Sequence, residues 1–350
     1  MTAEMIPTAG RLSAAKGIAP DGKALSDDVL SVEGLTVDIR TVHGTLRAVD
    51  GVGFTARRGE TVALLGESGC GKSMTARAIV GLLEPVAEVT AGTALVTGTD
   101  LISADDRTRR AMAGPGIAIV FQDALTALNP VYTVGKQLAE PFRIHRGMSR
   151  KEARKEAIAL MARVGIPEPE TRVDAYPHQF SGGMRQRLLI AIAVALSPPV
   201  LIADEPTTAL DVTVQAQIMK LLASLREEHE MAVVLITHDL ALVAEEADRT
   251  VIMYAGRVVE TGPVTEVFRK PRHPYTKGLL DSVPEHAAPG EPLRSIGGAP
   301  PELSAIPSGC VYQDRCPLVR DRCRQSRPPL VEIGLGRKSA CFYHSEVSDA

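Results

Sequence analysis

Lys72 and Ser73 close the run Gly66-Glu67-Ser68-Gly69-Cys70-Gly71-Lys72-Ser73, which fits the pattern G-x-x-x-x-G-K-[ST] at every fixed position. Glycines at these places let backbone N–H groups turn inward around a phosphate, with no Cβ in the way. Lys72 is of the right type to reach β- and γ-phosphates, and the Ser73 hydroxyl to sit on Mg²⁺. Met74 carries the chain onward into a helix, whose N-terminus adds positive dipole at the same point. A second group of chemical residues ends the apolar run Leu201-Ile202-Ala203. There Asp204 is placed to hold Mg²⁺ through water, and Glu205 to polarise an attacking water. Two acids at a strand end are common by themselves. They gain meaning from a phosphate loop earlier in the same α/β unit.

These residues need a scaffold of alternating strands and helices. Thr61–Leu65 is an apolar run that reads as a buried strand, and Lys72–Leu83 reads as the helix after the loop. Leu30–Ile39 and Ala48–Ala56 alternate apolar and polar residues around a turn at His43-Gly44, as an antiparallel lobe would. Ala94–Val96, Ile117–Phe121, Val200–Ala203 and Ala232–Ile236 are further short β-rich runs. Arg150–Val164, Met184–Leu196 and Val214–Glu228 read as helices, and Val251–Met253 and Val258–Val259 flank a hairpin turn at Ala255-Gly256. The β/α alternation after residue 60 predicts a doubly wound parallel sheet. Residues 1–28 are rich in Ala, Gly, Pro and Ser and read as a mobile tail. Pro284 to Pro307 reads as a linker or extended arm.

Composition narrows the function. The chain has 350 residues, enough for about two domains and a large core. Net charge is −3 and aromatic residues are 3% with no Trp, which argues against a nucleic-acid surface or a base-stacking platform. No apolar run approaches the roughly 18 residues needed to cross a bilayer, and the N-terminus lacks a signal-peptide layout. A cytosolic location is expected, with any work at a membrane done from outside the bilayer.

Four of the five cysteines cluster as Cys310-x5-Cys316-x6-Cys323-x17-Cys341, while Cys70 is committed to the phosphate loop. Clustered cysteines in a cytosolic chain point to metal before disulfides. Four thiolates can hold Zn²⁺ or an iron–sulfur cluster, and this spacing matches no common pattern that names one of them.

Phe180-Ser181-Gly182-Gly183-Met184-Arg185-Gln186 is a second glycine turn that opens a helix. Read alone, it serves equally as a helix cap by Ser181. It resembles the signature motif of ABC-type ATPases, with Phe180 and Met184 replacing the usual Leu and Gln, a variant similar to that of the peptide and nickel importer branch. Other motifs resemble the family in its order: Gln122 in Phe121-Gln122-Asp123, Thr208-Ala209-Leu210-Asp211, and His238 in Ile236-Thr237-His238-Asp239. Thr126–Pro130, Arg272–Leu279 and the cysteine tail resemble the oligopeptide/dipeptide importer ATPase subunits, so the likeness runs from about Val29 to His344.

The resemblance implies an ABC ATPase domain at 29–283, with an antiparallel β lobe and a helical lobe at about 123–185, followed by a small Cys-rich extension at 284–350. It implies ATP and Mg²⁺ held by residues 66–74, with Gln122 and Asp204 completing the metal shell. Glu205 would be general base and His238 would orient water and γ-phosphate. Ser181, Gly182 and Gly183 would meet ATP held by a second ATPase subunit, in this branch usually a related, non-identical chain. The further partners implied are two permease subunits docking near Thr75–Glu88 and Val131–Leu160, and an extracytoplasmic binding protein. Some relatives are thought to carry a [4Fe–4S] cluster, which favours that group over zinc. The location implied is the cytoplasmic face of the inner membrane. A nickel or other small-solute importer, or a soluble ABC ATPase acting on nucleic acid or ribosomes, are the alternatives. The family's usual adenine-stacking aromatic is missing: Ile39 stands at its place, with His43 nearby.

Overall fold

The computed structural model describes residues 27–122, 127–208, 210–282, 295–334 and 336–347. Most of the expected tail, Asp123 to Thr126, Ala209, residue 283 and residues 284–294 of the expected arm lie outside the described residues.

Strands β1 (Asp28–Thr41) and β2 (Gly44–Arg57) form the hairpin predicted around His43. After β3 (Thr61–Leu65), strand β4 (Ala87–Val96) pairs with the free edge of β1, and β5 (Thr99–Asp100) completes an antiparallel sheet ordered β2-β1-β4-β5. Strand β3 belongs to the second sheet. There β6 (Ile117–Val120), β7 (Val200–Asp204), β8 (Ala232–Ile236) and β9 (Arg249–Tyr254) run parallel with it in the order β9-β3-β8-β7-β6. Every residue of β3, β7 and β8 is buried, as expected of parallel strands covered on both faces. Strand alternation divides them between two cores. Val62 and Leu64 face the antiparallel sheet and the helix Lys72–Ile79, whereas Ala63 and Leu65 face Tyr254, Tyr275 and Tyr312.

The sheet departs from an all-parallel one. Strand β10 (Arg257–Pro263) turns back from β9 through Ala255 and Gly256, both in the left-handed region at φ 46° and 76°. Strands β11 (Val331–Gly334) and β12 (Arg337–Ser339) then pair antiparallel beside β10. The C-terminal region, expected as a small appended extension, is thus built into the central sheet. Arg337 donates to Glu260 at 2.8 Å, and their side chains are 5% and 0% exposed.

The helix after the phosphate loop ends at Ile79 rather than Leu83, because Gly81 takes φ 71° and Pro85 follows. The helix Gly182–Val194 begins two residues earlier than Met184, with Ser181 accepting from the Met184 N–H as its cap. This helix joins two cores. Leu188 and Ala191 pack with the helices Val134–His145 and Arg150–Arg163, and Ile190, Ala193 and Val194 pack under β7.

Candidate functional site

The phosphate loop connects β3 to the helix Lys72–Ile79, and its glycines are required by its shape. Gly66 and Gly71 have φ of 150° and 103°, and a Cβ would stand 2.3 Å from the Met253 carbonyl oxygen and 2.8 Å from that of Ala48. Lys72 is buried, and its ammonium donates to the carbonyls of Gly66 at 2.7 Å and Glu67 at 3.0 Å. Ser68, Gly69, Gly71, Lys72, Ser73 and Met74 line one side of a cleft of about 680 Å³. Gln122, Glu205, Thr208 and His238 line the other, and Ile39, Ala48 and Leu303 complete it.

Ser73 Oγ donates to Asp204 Oδ1 at 2.9 Å, so the predicted metal-binding hydroxyl and carboxylate meet across 131 positions. Asp204 is 3% exposed, and its burial, with Glu205 beside it, raises its carboxyl above the ordinary range. A buried acid next to a hydroxyl at the mouth of a phosphate loop suits a divalent cation, which would relieve the unpaired charge. Glu205 is held in a left-handed conformation at φ 47°. Its carboxylate accepts from Gln122 Nε2 at 2.8 Å and Thr208 Oγ1 at 2.9 Å, and meets His238 Nδ1 at 3.2 Å. Glutamine, glutamate and histidine from three strand ends therefore stand together, and the carboxylate faces the cleft between them.

Ser181, Gly182 and Gly183 do not line this cleft. Ser181 and Gly182 are exposed, and Gly183 is close-packed: a Cβ there would stand 2.6 Å from Val214 Cγ1. The turn therefore leaves the N-terminus of a long helix open at the surface. His43 lies exposed in the β1–β2 turn and is absent from the cleft lining, whereas Ile39 is part of it.

The C-terminal region contributes contacts that no motif announces. Arg315 forms a two-pronged pair with Glu67, at 2.6 and 2.9 Å, and Leu303 reaches the cleft. The Glu67 carboxylate thus faces away from the cleft. The Glu67 N–H donates to Tyr275 Oη at 2.8 Å. Spacing cannot reveal such partners, because they come from chain more than two hundred residues away.

Cys310, Cys316, Cys323 and Cys341 line one small pocket with His273 and Tyr312, and all four are free thiols. Burial pushes the Cys316 thiol up to about 11 and that of Cys341 to about 12. Among the described residues, no three His, Cys, Asp or Glu side chains are arranged to hold a metal ion. Elsewhere, a groove of about 480 Å³ runs between Val80, Leu82, Pro141, Ile144 and Ile192. Leu82, Val86, Val131 and Ile144 are each at least half exposed. No described helix is long and apolar enough to cross a membrane.

Strand, phosphate loop, helix and a neighbouring strand ending in acids define a P-loop nucleotide-binding domain. The ABC transporter family pattern matches residues 49–208, and the pattern of the oligopeptide/dipeptide transporter C-terminal region matches 259–323. The chain is 48% identical over 315 residues to the dipeptide transport ATP-binding protein DppD of Escherichia coli, covering 90% of this chain and 96% of that one. It is 51% identical over 292 residues to the protein of that name in Bacillus subtilis, covering 83% and 87%. Among solved structures, a dimeric ATP-binding cassette in a post-hydrolysis state with ADP and Pi superposes with a TM-score of 0.60 at 30% identity, covering 67% of this chain and 98% of that one. The cbiO1 subunit from Clostridium perfringens, part of an ABC transporter complex, gives 0.59 at 30% identity, covering 70% and 92%. The chain belongs to the ABC transporter family.

Proposed function

We propose that this chain is the ATP-hydrolysing subunit of an importer for dipeptides or oligopeptides. The observation that carries the chemistry is the meeting of Lys72, Ser73, Asp204, Gln122, Glu205 and His238 around one cleft. The named relatives, matched over almost their whole length, carry the peptide assignment.

Residues 66–74 wrap the phosphates with backbone N–H groups, and Lys72 supplies the fixed positive charge. Ser73, Asp204 and Gln122 would hold Mg²⁺, which would supply neutralisation of phosphate charge. Glu205 accepts a proton from, or polarises, the attacking water, and His238 and Gln122 fix its carboxylate in position. Ile39 and Leu303 give the cleft an aliphatic wall for the base where an aromatic residue would be usual. The Ser181-Gly182-Gly183 turn meets the nucleotide bound by a second ATPase subunit, a related, non-identical chain. Its exposure away from its own cleft supports that arrangement, as does the dimeric state of the solved neighbour.

The apolar groove beside Leu82 and Ile144 suits a short helix from each of two permease subunits, placing the chain on the cytoplasmic face of the membrane without entering it. An extracytoplasmic binding protein completes the complex. The domain plan proposed is an ATPase unit over 29–283 with a C-terminal region, 284–350, that serves it. The four thiols of that region are the proposed ligands of a [4Fe–4S] cluster, with zinc the alternative. The ground for this is that all four line one pocket, although their side chains as they stand do not form a metal site. Anaerobic purification followed by iron, sulfide and zinc analysis tests this, and stoichiometric zinc without iron removes the cluster.

Glu205→Gln in the assembled transporter tests the catalytic assignment. ATP binding is expected to persist while turnover falls by about two to four orders of magnitude. Unchanged turnover removes Glu205 from the mechanism.

A further inference from the structure

We infer that Arg315 is a positioning residue for the phosphate loop, acting from the C-terminal region through Glu67. The inference rests on the cleft being a nucleotide site and adds to it a control point outside the ATPase motifs.

Glu67 is the first variable position of the loop, and three contacts fix it. Its N–H donates to Tyr275 Oη at 2.8 Å, its carbonyl accepts from the Lys72 ammonium at 3.0 Å, and its carboxylate takes both prongs of Arg315. Arg315 is itself fully committed. It donates to Tyr254 Oη at 3.3 Å and to the carbonyls of Gly297 and Ile296 at 2.9 and 3.4 Å. Its guanidinium lies over the rings of Tyr254 and Tyr312. The side chain is only 4% exposed, against 27% for Glu67, so solvent screens the pair poorly. A planar guanidinium on a carboxylate fixes direction as well as distance.

Fixing Glu67 fixes the carbonyl that holds Lys72, and with it the path of the N–H groups that must meet phosphate. A loop already in its binding shape gives up little freedom when a nucleotide arrives. Without the pair, that freedom must be lost on binding, and affinity falls. The same contact puts the C-terminal region in mechanical connection with the nucleotide, because Cys316 and Tyr312, both lining the thiol pocket, adjoin Arg315 in the chain and in space.

The test is a double-mutant cycle on the full chain, reading ADP affinity by titration with a fluorescent ADP analogue. Thermal unfolding without nucleotide establishes that each variant is folded. Arg315→Met is expected to weaken binding about tenfold, equivalent to about 1.4 kcal/mol. In a Glu67→Gln background the same change is expected to cost less than about twofold, since its partner is already gone. Arg315→Lys keeps charge and bulk but not the fork, is expected to lose most of the tenfold, and carries the test if Arg315→Met does not fold. Equal losses in the two backgrounds, or no loss in either, overturn the inference. A wild-type chain that binds no ADP analogue overturns the nucleotide site itself, an outcome distinct from a variant that binds as well as wild type.

Discussion

Burial of Asp204 at the end of β7 raises its carboxyl, and the direction of that shift sets a trade between stability and function. The folded chain takes up the proton more readily than the unfolded chain does. Whatever stability the protonated acid contributes is present below the ordinary carboxylate range and is lost as pH rises through the folded value. At neutral pH the ionised group is therefore a burden until a cation meets it. Asp204→Asn keeps an acceptor for the Ser73 hydroxyl and removes the charge. Its nucleotide-free unfolding midpoint should lie above wild type at pH 7, by roughly 1–2 °C for each kcal/mol relieved. The advantage should shrink as pH falls, and the extra protection given by Mg²⁺ over ADP alone should disappear. A variant less stable than wild type at pH 7 would refute the account. At this scale the sequence was informative where chemistry is contiguous. Lys72, Ser73, Asp204 and Glu205 are readable because their motifs are short and rigidly spaced. Leu303 and Arg315 are not, because a leucine and an arginine in an irregular tail look like any others until the fold brings them to the loop.

Helix ends and strand edges show a similar division. The strands β3, β7 and β8 are evident from unbroken apolar runs, whereas β11 and β12 read Val-Glu-Ile-Gly and Arg-Lys-Ser and acquire strand character only from the exposed edge of β10. The helix Pro274–Asp281 begins at His273, which is 1% exposed and accepts from the Tyr275 N–H at 3.1 Å. Burial depresses its imidazole to about 3. Between pH 6.5 and about 3 the unfolded chain thus holds a proton that the folded chain refuses, so stability is lost as pH falls through that window. The slope is about 1.4 kcal/mol per pH unit for one group. His273→Asn retains a capping acceptor without the titration. Urea unfolding at pH 6.5, 5.5 and 4.5 should show a flatter decline for the variant, and parallel declines would mean that the ring charges in place.

Across the whole molecule, the C-terminal region is bound to the ATPase core by buried charge as well as by strand pairing. Arg337 and Glu260 are a nearly inaccessible pair, so removing the arginine leaves a buried carboxylate without its counter-charge, held only by neutral donors such as the Arg272 N–H. Arg337→Met is expected to cost about 3–5 kcal/mol in chemical denaturation, and the double variant Arg337→Met/Glu260→Leu to recover most of it. A double variant no more stable than the single one would show that the strand contacts, not the pair, hold this edge. The order in which the chain is made gives these contacts a further consequence. Glu67 leaves the ribosome 248 residues before Arg315, and β12, which covers β10, comes later still. A product cut short before Arg315 has a finished phosphate loop but no arginine to brace it, and an open strand edge on β10 that invites wrong pairing. The last stretch of the chain is thus what turns a finished fold into a finished site: it closes the sheet edge and braces the loop in the same act.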